Sequence, residues 1–401
     1  MSEKEIKKIC GAAFRLSVIL LLVVSVAEAS ISTTGPYPGN SFIDPTVHID
    51  VGNFSIGTES YIAPFTSFMG EYAYIGSYSN VQDSGSNSGK IRIKDDAVVA
   101  HGADLTGEVE IGSKAFIGFN SLIKDAKIGD EAYIGIGSRV VGVDIPGRKS
   151  VPPASIIDSA DDVIALKPVT EEEEEFVEEV IEVNRALAKG YNQLFEKKGM
   201  DAFGKVGPHG DGDIMIDGKD ILAHSGIHTP QVGQGTIIDN SRVIGHVILR
   251  NNIRIGDGTS IRGDEGIPID IGDNAEIGKN NTFHSLNGKE VIIGKNFNLG
   301  SDSVIHGPLK IGDNVRTGNR AVVFKSTIGN NVEIGDNAII IGVKVPDGTV
   351  IPPGSVVTAQ RDVRKLNPEP ESKSASIFEL ILVAIIPLSL GLIGSYLLRN
   401  K

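Results

Sequence analysis

The chain has no tryptophan, one cysteine and four methionines in 401 residues, and aromatic side chains make up 5% of it. That scarcity excludes a large core of bulky rings and any disulfide framework. The single thiol, Cys10, falls in a segment that reads as a removable leader, so the mature chain is expected to have no thiolate chemistry. Basic residues are also few: 38 Lys and Arg against 51 Asp and Glu give a net charge of -13. Binding a phosphate backbone needs a basic surface, so nucleic acid is not an expected partner. What the chain has instead is 48 glycines and 18 prolines, which suits a repetitive fold with many tight corners.

Long apolar runs are confined to the two ends. Lys4, Lys7, Lys8 and Arg15 precede an apolar stretch from Leu16 to Ala27, and Ala27-Glu28-Ala29 supplies small residues for cleavage, so residues 1–29 read as a secretory signal. Residues 377–398 are apolar apart from Glu379 and small hydroxyl residues, and about 20 such residues cross a bilayer. Pro387 is compatible with such a span. Arg399 and Lys401 follow and favour a cytoplasmic C-terminus. The expectation is an exported protein tethered by its C-terminal helix through a flexible linker at residues 367–376, with its bulk on the outer face.

Between these ends, aliphatic-glycine pairs recur about every six residues. They include Ile111, Ile117, Ile128 and Ile134, then Ile255, Ile271, Ile277, Ile293, Ile311, Ile328 and Ile334. A short fixed period indicates a solenoid in which each hexapeptide is one short strand and a corner. The pattern resembles the left-handed parallel β-helix of hexapeptide-repeat proteins. It predicts a mainly β chain with a first β-helix over residues 40–168 and a second over 235–366. Between them, Thr170 caps a run of glutamates, and Phe176, Val180, Val183, Leu187, Tyr191 and Leu194 recur at helical spacing. An amphipathic helix over 169–199, packed on the side of the first β-helix, and a linker over 200–234 are expected. His224 and His228 lie four apart in that linker, but Gly226 and Pro230 argue against a helix that would align them as ligands.

The two stretches match when the chain is shifted by 200 residues, except at the histidines. His101 falls on Ser301, Thr106 falls on His306, and His284 has no counterpart near Ser84–Ser88. Tandem copies would thus divide three histidines one against two.

Further segments resemble the γ-class carbonic anhydrases. Ser260 to Gly266 (SIRGDEG), His284, Ile305-His306-Gly307-Pro308 and Ala321 to Ser326 carry the likeness in the second copy. In the first copy it rests on Ser79-Asn80-Val81-Gln82-Asp83 and Ala100-His101. The resemblance implies trimeric rings of β-helices with a metal between neighbours, two histidines coming from one and the third from the other. It implies His101, His284 and His306 as ligands of one divalent ion, zinc first, with Fe(II) or cobalt as alternatives. Gln82, beside Asn80, would orient hydroxide or CO2, and Glu265 would carry the proton. Arg262 and Asp264 would pair across the interface. Met69 stands where Arg262 does, and Gly278 where Gln82 does, so only a first-copy face against a second-copy face would be complete. The implied reaction is the interconversion of CO2 and bicarbonate. The short, uncharged run Ser285-Leu286-Asn287-Gly288 departs from the family's acidic loop and puts fast proton export in doubt. The alternatives are an inactive membrane-tethered scaffold and, less well supported, a hexapeptide acyltransferase. No role is assigned to His48, His209 or His246.

Overall fold

A computed structural model describes residues 35–198, 206–207, 215–216, 219–220, 230–265, 268–285 and 289–366. The aliphatic positions of the repeat become the inward rows of two parallel β-solenoids. In the first, Ile62, Val81, Val99, Ile117, Ile134 and Val151 lie in register on consecutive strands, all buried. In the second, Val243, Ile261, Phe283, Ile305, Val323, Ile340 and Val357 do the same. Each side chain rests on its equivalent one coil away, and burying one contributes about 1.5–3 kcal/mol.

The second solenoid has an eight-stranded sheet and two seven-stranded sheets, built from strands of two to four residues. Asparagine makes one of its corners. Asn252, Asn274, Asn296, Asn314 and Asn331 all have φ between 55° and 62°, a region asparagine tolerates, and their amides form a hydrogen-bonded ladder. The first solenoid departs from the pattern of one short strand per corner. Its nine-stranded sheet has short strands, but its seven-stranded sheet contains the long strands Ser67–Ile75, Ser86–Ile93 and Asp104–Ile111. These run through a corner at Gly70, Gly89 and Gly107, where φ is 116°, 119° and 88°. A Cβ on Gly89 would collide with the carbonyl oxygen of Gly107, so only glycine bends the chain there without breaking the ladder.

The expected linker contributes structure too: Val206–Gly207 joins the eight-stranded sheet beside Arg242–Gly245, and Gln231–Val232 joins a seven-stranded sheet. The long helix Glu171–Lys198 opens with a reciprocal cap, in which the Thr170 and Glu173 backbone N–H groups donate to each other's side chains. It does not pack on the first solenoid alone. Val183, Leu187 and Tyr191 pack with Phe42 and Tyr61 of the first solenoid and Ile244 of the second. Val177, Val180 and Ile181 pack with Phe116 and with Phe324. The helix therefore covers the seam between the solenoids. The physical reason is the width of its apolar stripe, which exceeds what one surface can bury.

The expected leader at 1–29 and membrane span at 377–398 lie outside the described residues, as do His209, His224 and His228. Among the described residues no helix is long and apolar enough to cross a membrane.

Candidate metal centre

The seam joins the outward face of the first solenoid's nine-stranded sheet to that of the second's eight-stranded sheet. On the second, Ile244, Arg262, His284, His306, Phe324 and Ile341 form one column in strand register. These residues alternate with the inward row, so every one of them faces away from its own core. Opposite them, at a corner of the first solenoid, stand Asp83, His101 and Phe119.

The three candidate histidines meet there. Ring centroids lie 5.5 Å apart for His101 and His284, 5.3 Å for His101 and His306, and 5.2 Å for His284 and His306. One nitrogen from each falls within 4.8 Å of the others. All three are at most 4% exposed. Each ring also has a nitrogen beside an oxygen. His101 Nδ1 lies 3.0 Å from Asp83 Oδ2, a close contact rather than an aligned hydrogen bond. His284 Nε2 lies 3.2 Å from Asp264 Oδ1 and 3.4 Å from Glu265 Oε1. His306 Nδ1 lies 3.2 Å from the Gly307 carbonyl oxygen. His101 Nε2 and His284 Nδ1 have no hydrogen-bond partner.

Burial biases two of these imidazoles, His101 and His306, toward the neutral form. Burial holds His101 down at about 4, with His284 and Arg262 pushing the same way and Asp83 opposing. Burial, then the two neighbouring imidazoles, holds His306 well below its ordinary value. Burial alone would raise the carboxyls of Asp83 and Asp264. Arg262 and the adjacent histidines outweigh it and keep both well below the usual carboxylate range.

Arg262 is the electrostatic hinge of the seam. It is fully buried and donates to Asp264 at 2.6 Å and to Asp83 at 2.8 and 3.0 Å. The expected Arg262–Asp264 pair therefore lies within one solenoid, two residues apart. The cross-seam partner of Arg262 is Asp83, 179 residues away. Asp83 also accepts from the Ser260 hydroxyl at 2.6 Å, and Asp264 accepts from the Tyr191 hydroxyl of the long helix at 2.7 Å. A second buried pair, Arg242–Asp44 at 3.0 Å, also crosses the seam. Asp83, Ser260 and Tyr191 are members of this network that the histidine pattern did not single out. Asp83 was within reach, since it ends the Ser79–Asp83 segment.

Asn80 and Gln82 share the outward side of the strand that leads to Asp83, and both are buried. Both polar atoms of the Asn80 amide lack a protein partner. Met69 is 41% exposed on the first solenoid's other sheet, and Gly278 lies beyond Glu276–Ile277 on a different sheet of the second solenoid. The equivalents of Arg262 and Gln82 thus lie away from the seam.

Parallel coils of short strands with a buried cluster of three imidazoles define a β-solenoid protein with a candidate metal centre. The family described as the hexapeptide repeat of succinyl-transferase matches residues 290–324 and 326–359. Over part of its length the chain is homologous to the carbonic anhydrase of Methanosarcina thermophila, at 37% identity over 157 residues, 34% of this chain and 64% of that protein. It is also homologous to the carboxysome assembly protein CcmM of a Nostoc species, at 35% identity over 136 residues, 31% of this chain and 24% of that protein. The chain thus matches less than two thirds of either relative's length. A hexapeptide transferase family protein from Anaplasma phagocytophilum aligns structurally at 22% identity, covering 37% of this chain and 91% of that one, with a TM-score of 0.30.

Proposed function

We propose that this protein is a γ-type carbonic anhydrase whose single site is built within one chain, at the seam between its two solenoids. The observation that carries the reading is the meeting of His101 with His284 and His306, each ring having one nitrogen beside an oxygen. Metal-binding histidines commonly have their second nitrogen held by a carboxylate or carbonyl, which fixes the tautomer and the ring's direction. The donor set fits a divalent cation: three buried imidazoles with ligand atoms within 4.8 Å of one another, of which His101 and His306 are biased toward neutrality. Zinc, Fe(II) and cobalt all accept such a set.

A metal held there would act as a Lewis acid and make water a nucleophile at neutral pH. The chain's own residues supply the rest. Asp264 holds the His284 ring by its second nitrogen, and Asp83 stands 3.0 Å from that of His101. Arg262 keeps both carboxylates charged and so available for that task. The unpartnered Asn80 amide, with Gln82 beside it, offers a polar surface for CO2 or bicarbonate. Glu265, 3.4 Å from His284, is the carboxylate placed to receive a proton.

The solenoids are read as tandem copies in which each kept the half of the site that faces its neighbour. A homo-oligomeric ring is not needed to complete this site. The chain is further read as exported through residues 1–29 and held at the membrane by residues 377–398.

Similarity to a carboxysome assembly protein favours a second reading, a scaffold without catalysis. One experiment separates the two. Full-length protein purified anaerobically should hold one divalent metal per chain and hydrate CO2 in a stopped-flow assay. A metal-free, inactive protein would reject the enzyme and leave the scaffold.

A further inference from the structure

The histidine cluster is buried, so a ligand needs a path to it. Several sides of the site are sealed. Along the solenoid axes, one end is closed by the ion-paired Arg262, Asp83 and Asp264 with Tyr61 and Tyr191, none more than 2% exposed. The other end is closed by Phe119, which stacks on His306 at 5.1 Å, and by Phe324 at 5.3 Å from the same ring. Beneath the long helix, Phe176, Val177, Val180 and Ile181 make an apolar plug that an anion would not cross.

Away from the helix the seam opens into a polar groove. It consists of two adjoining cavities of about 290 and 320 Å³, both lined by residues of the two solenoids and sharing Asp104, Asn120 and Arg320. Either volume exceeds the roughly 30 Å³ share of one water many times over, so the groove holds solvent.

The groove reaches the site by backbone register. Its wall includes Ser84 and Gly102, which directly follow Asp83 and His101. It also includes Thr282 and Val304, two residues before His284 and His306 on the same strands and the same side. Two strand residues span only about 6.6 Å. The side chains between groove and histidines are therefore a serine, a glycine, a threonine and a valine, all small. Ser84 Oγ is buried without a protein partner, which calls for water or a ligand at that point. At the mouth, Arg320 presents an exposed guanidinium within electrostatic reach of Asp104, and Asp302 stands on the same wall.

We propose that this groove is the route by which small anions reach and leave the buried histidines, with Arg320 offsetting the Asp104 and Asp302 carboxylates at the mouth. The inference rests on the metal-site reading above.

The test uses the full chain loaded with cobalt(II), and thiocyanate as the probe. Thiocyanate association is followed by its effect on the cobalt absorption spectrum. Ser86→Trp, which fills the groove wall away from the ligands, should slow association by on the order of tenfold or more while leaving the anion-free spectrum unchanged. Arg320→Glu, an exposed substitution that does not threaten folding, should slow association several-fold at low ionic strength, and the difference should shrink in about 1 M salt. Unchanged association in both variants, with normal spectra, overturns the groove and leaves the metal site standing. A wild-type chain that takes up no cobalt overturns both.

Discussion

The two faces that meet at the seam come from similar coils but do different work. The second solenoid presents a column of cation, imidazole, imidazole and phenyl ring: Arg262, His284, His306 and Phe324. The corresponding column of the first solenoid, Met69, Ser88 and Thr106 followed by Lys124, lies on the seven-stranded sheet, outside the histidine cluster. The first solenoid's working face is instead its corner, with one carboxylate, one imidazole and one phenyl ring. The difference shows that similar coils carry their charged and ligating side chains on the face that the neighbouring solenoid covers.

The comparison breaks most completely at the ligands. If the faces form one site, His101→Ala and His306→Ala should each reduce bound metal to substoichiometric levels and abolish CO2 hydration, although they lie in different solenoids. Elemental analysis and stopped-flow assays check this. Mixing the two variants should restore nothing, because the site closes within a chain; recovered activity would place it between chains instead.

Removing the shared carboxylate should cost somewhat less, but in stability. Asp83→Ala leaves Arg262 paired with Asp264 but strips Arg262 and the Ser260 hydroxyl of a buried acceptor, and each buried donor left unpaired costs about 1–3 kcal/mol. Urea unfolding would show this as a lower midpoint. Loss below about 1 kcal/mol would mean that water replaces the carboxylate.

Acid should weaken the metal-free seam next. The pKa of His101 is lower folded than unfolded, so the unfolded state takes up its proton first. Stability is therefore full above about pH 6.5 and falls as pH drops toward 4, by on the order of 3 kcal/mol from this residue. Asp83 and Asp264 are depressed in the folded state, and their contribution is lost at still lower pH, below the usual carboxylate range. Thermal melts of metal-free protein across this range should show the decline, and bound metal should reduce it by holding the imidazoles neutral.

The smallest effect belongs to the rim. The Asn120 side chain donates to the Asp302 carbonyl across the seam at 3.0 Å in a solvated setting. Asn120→Ala should cost about 0.5–1.5 kcal/mol and leave metal content unchanged.

The solenoids were legible in the sequence because an inward aliphatic residue must recur once per strand, and a glycine or asparagine must make the corner. The histidine triplet was legible only by laying one repeat over the other, since no local spacing puts His101 near His306. The link from Arg262 to Asp83 was not legible for a related reason. Both residues stand in segments that attract notice, but their pairing depends on how two prisms dock, and Asp264 offered a nearer, equally charged alternative. The position of the long helix was half visible. Phe176, Val180, Val183, Leu187 and Tyr191 mark one face, but Val177, Ile181 and Ala186 widen it, and that extra width is what covers a second surface. The long strands of the first solenoid escaped because Gly70, Gly89 and Gly107 bend the chain without the residues of an ordinary turn.

The register of His284 on His306 has a mechanical meaning. Arg262, His284 and His306 are spaced 22 residues apart and lie on adjacent strands, so their separation is set by the hydrogen-bond ladder rather than by side-chain packing. The backbone acts as a ruler with a pitch of about 4.8 Å. Ordinary substitutions in the coil cannot lengthen that pitch. A one-residue insertion or deletion within either strand would turn an imidazole from the seam into its own solenoid's core, so the bite of the centre changes in whole steps or not at all.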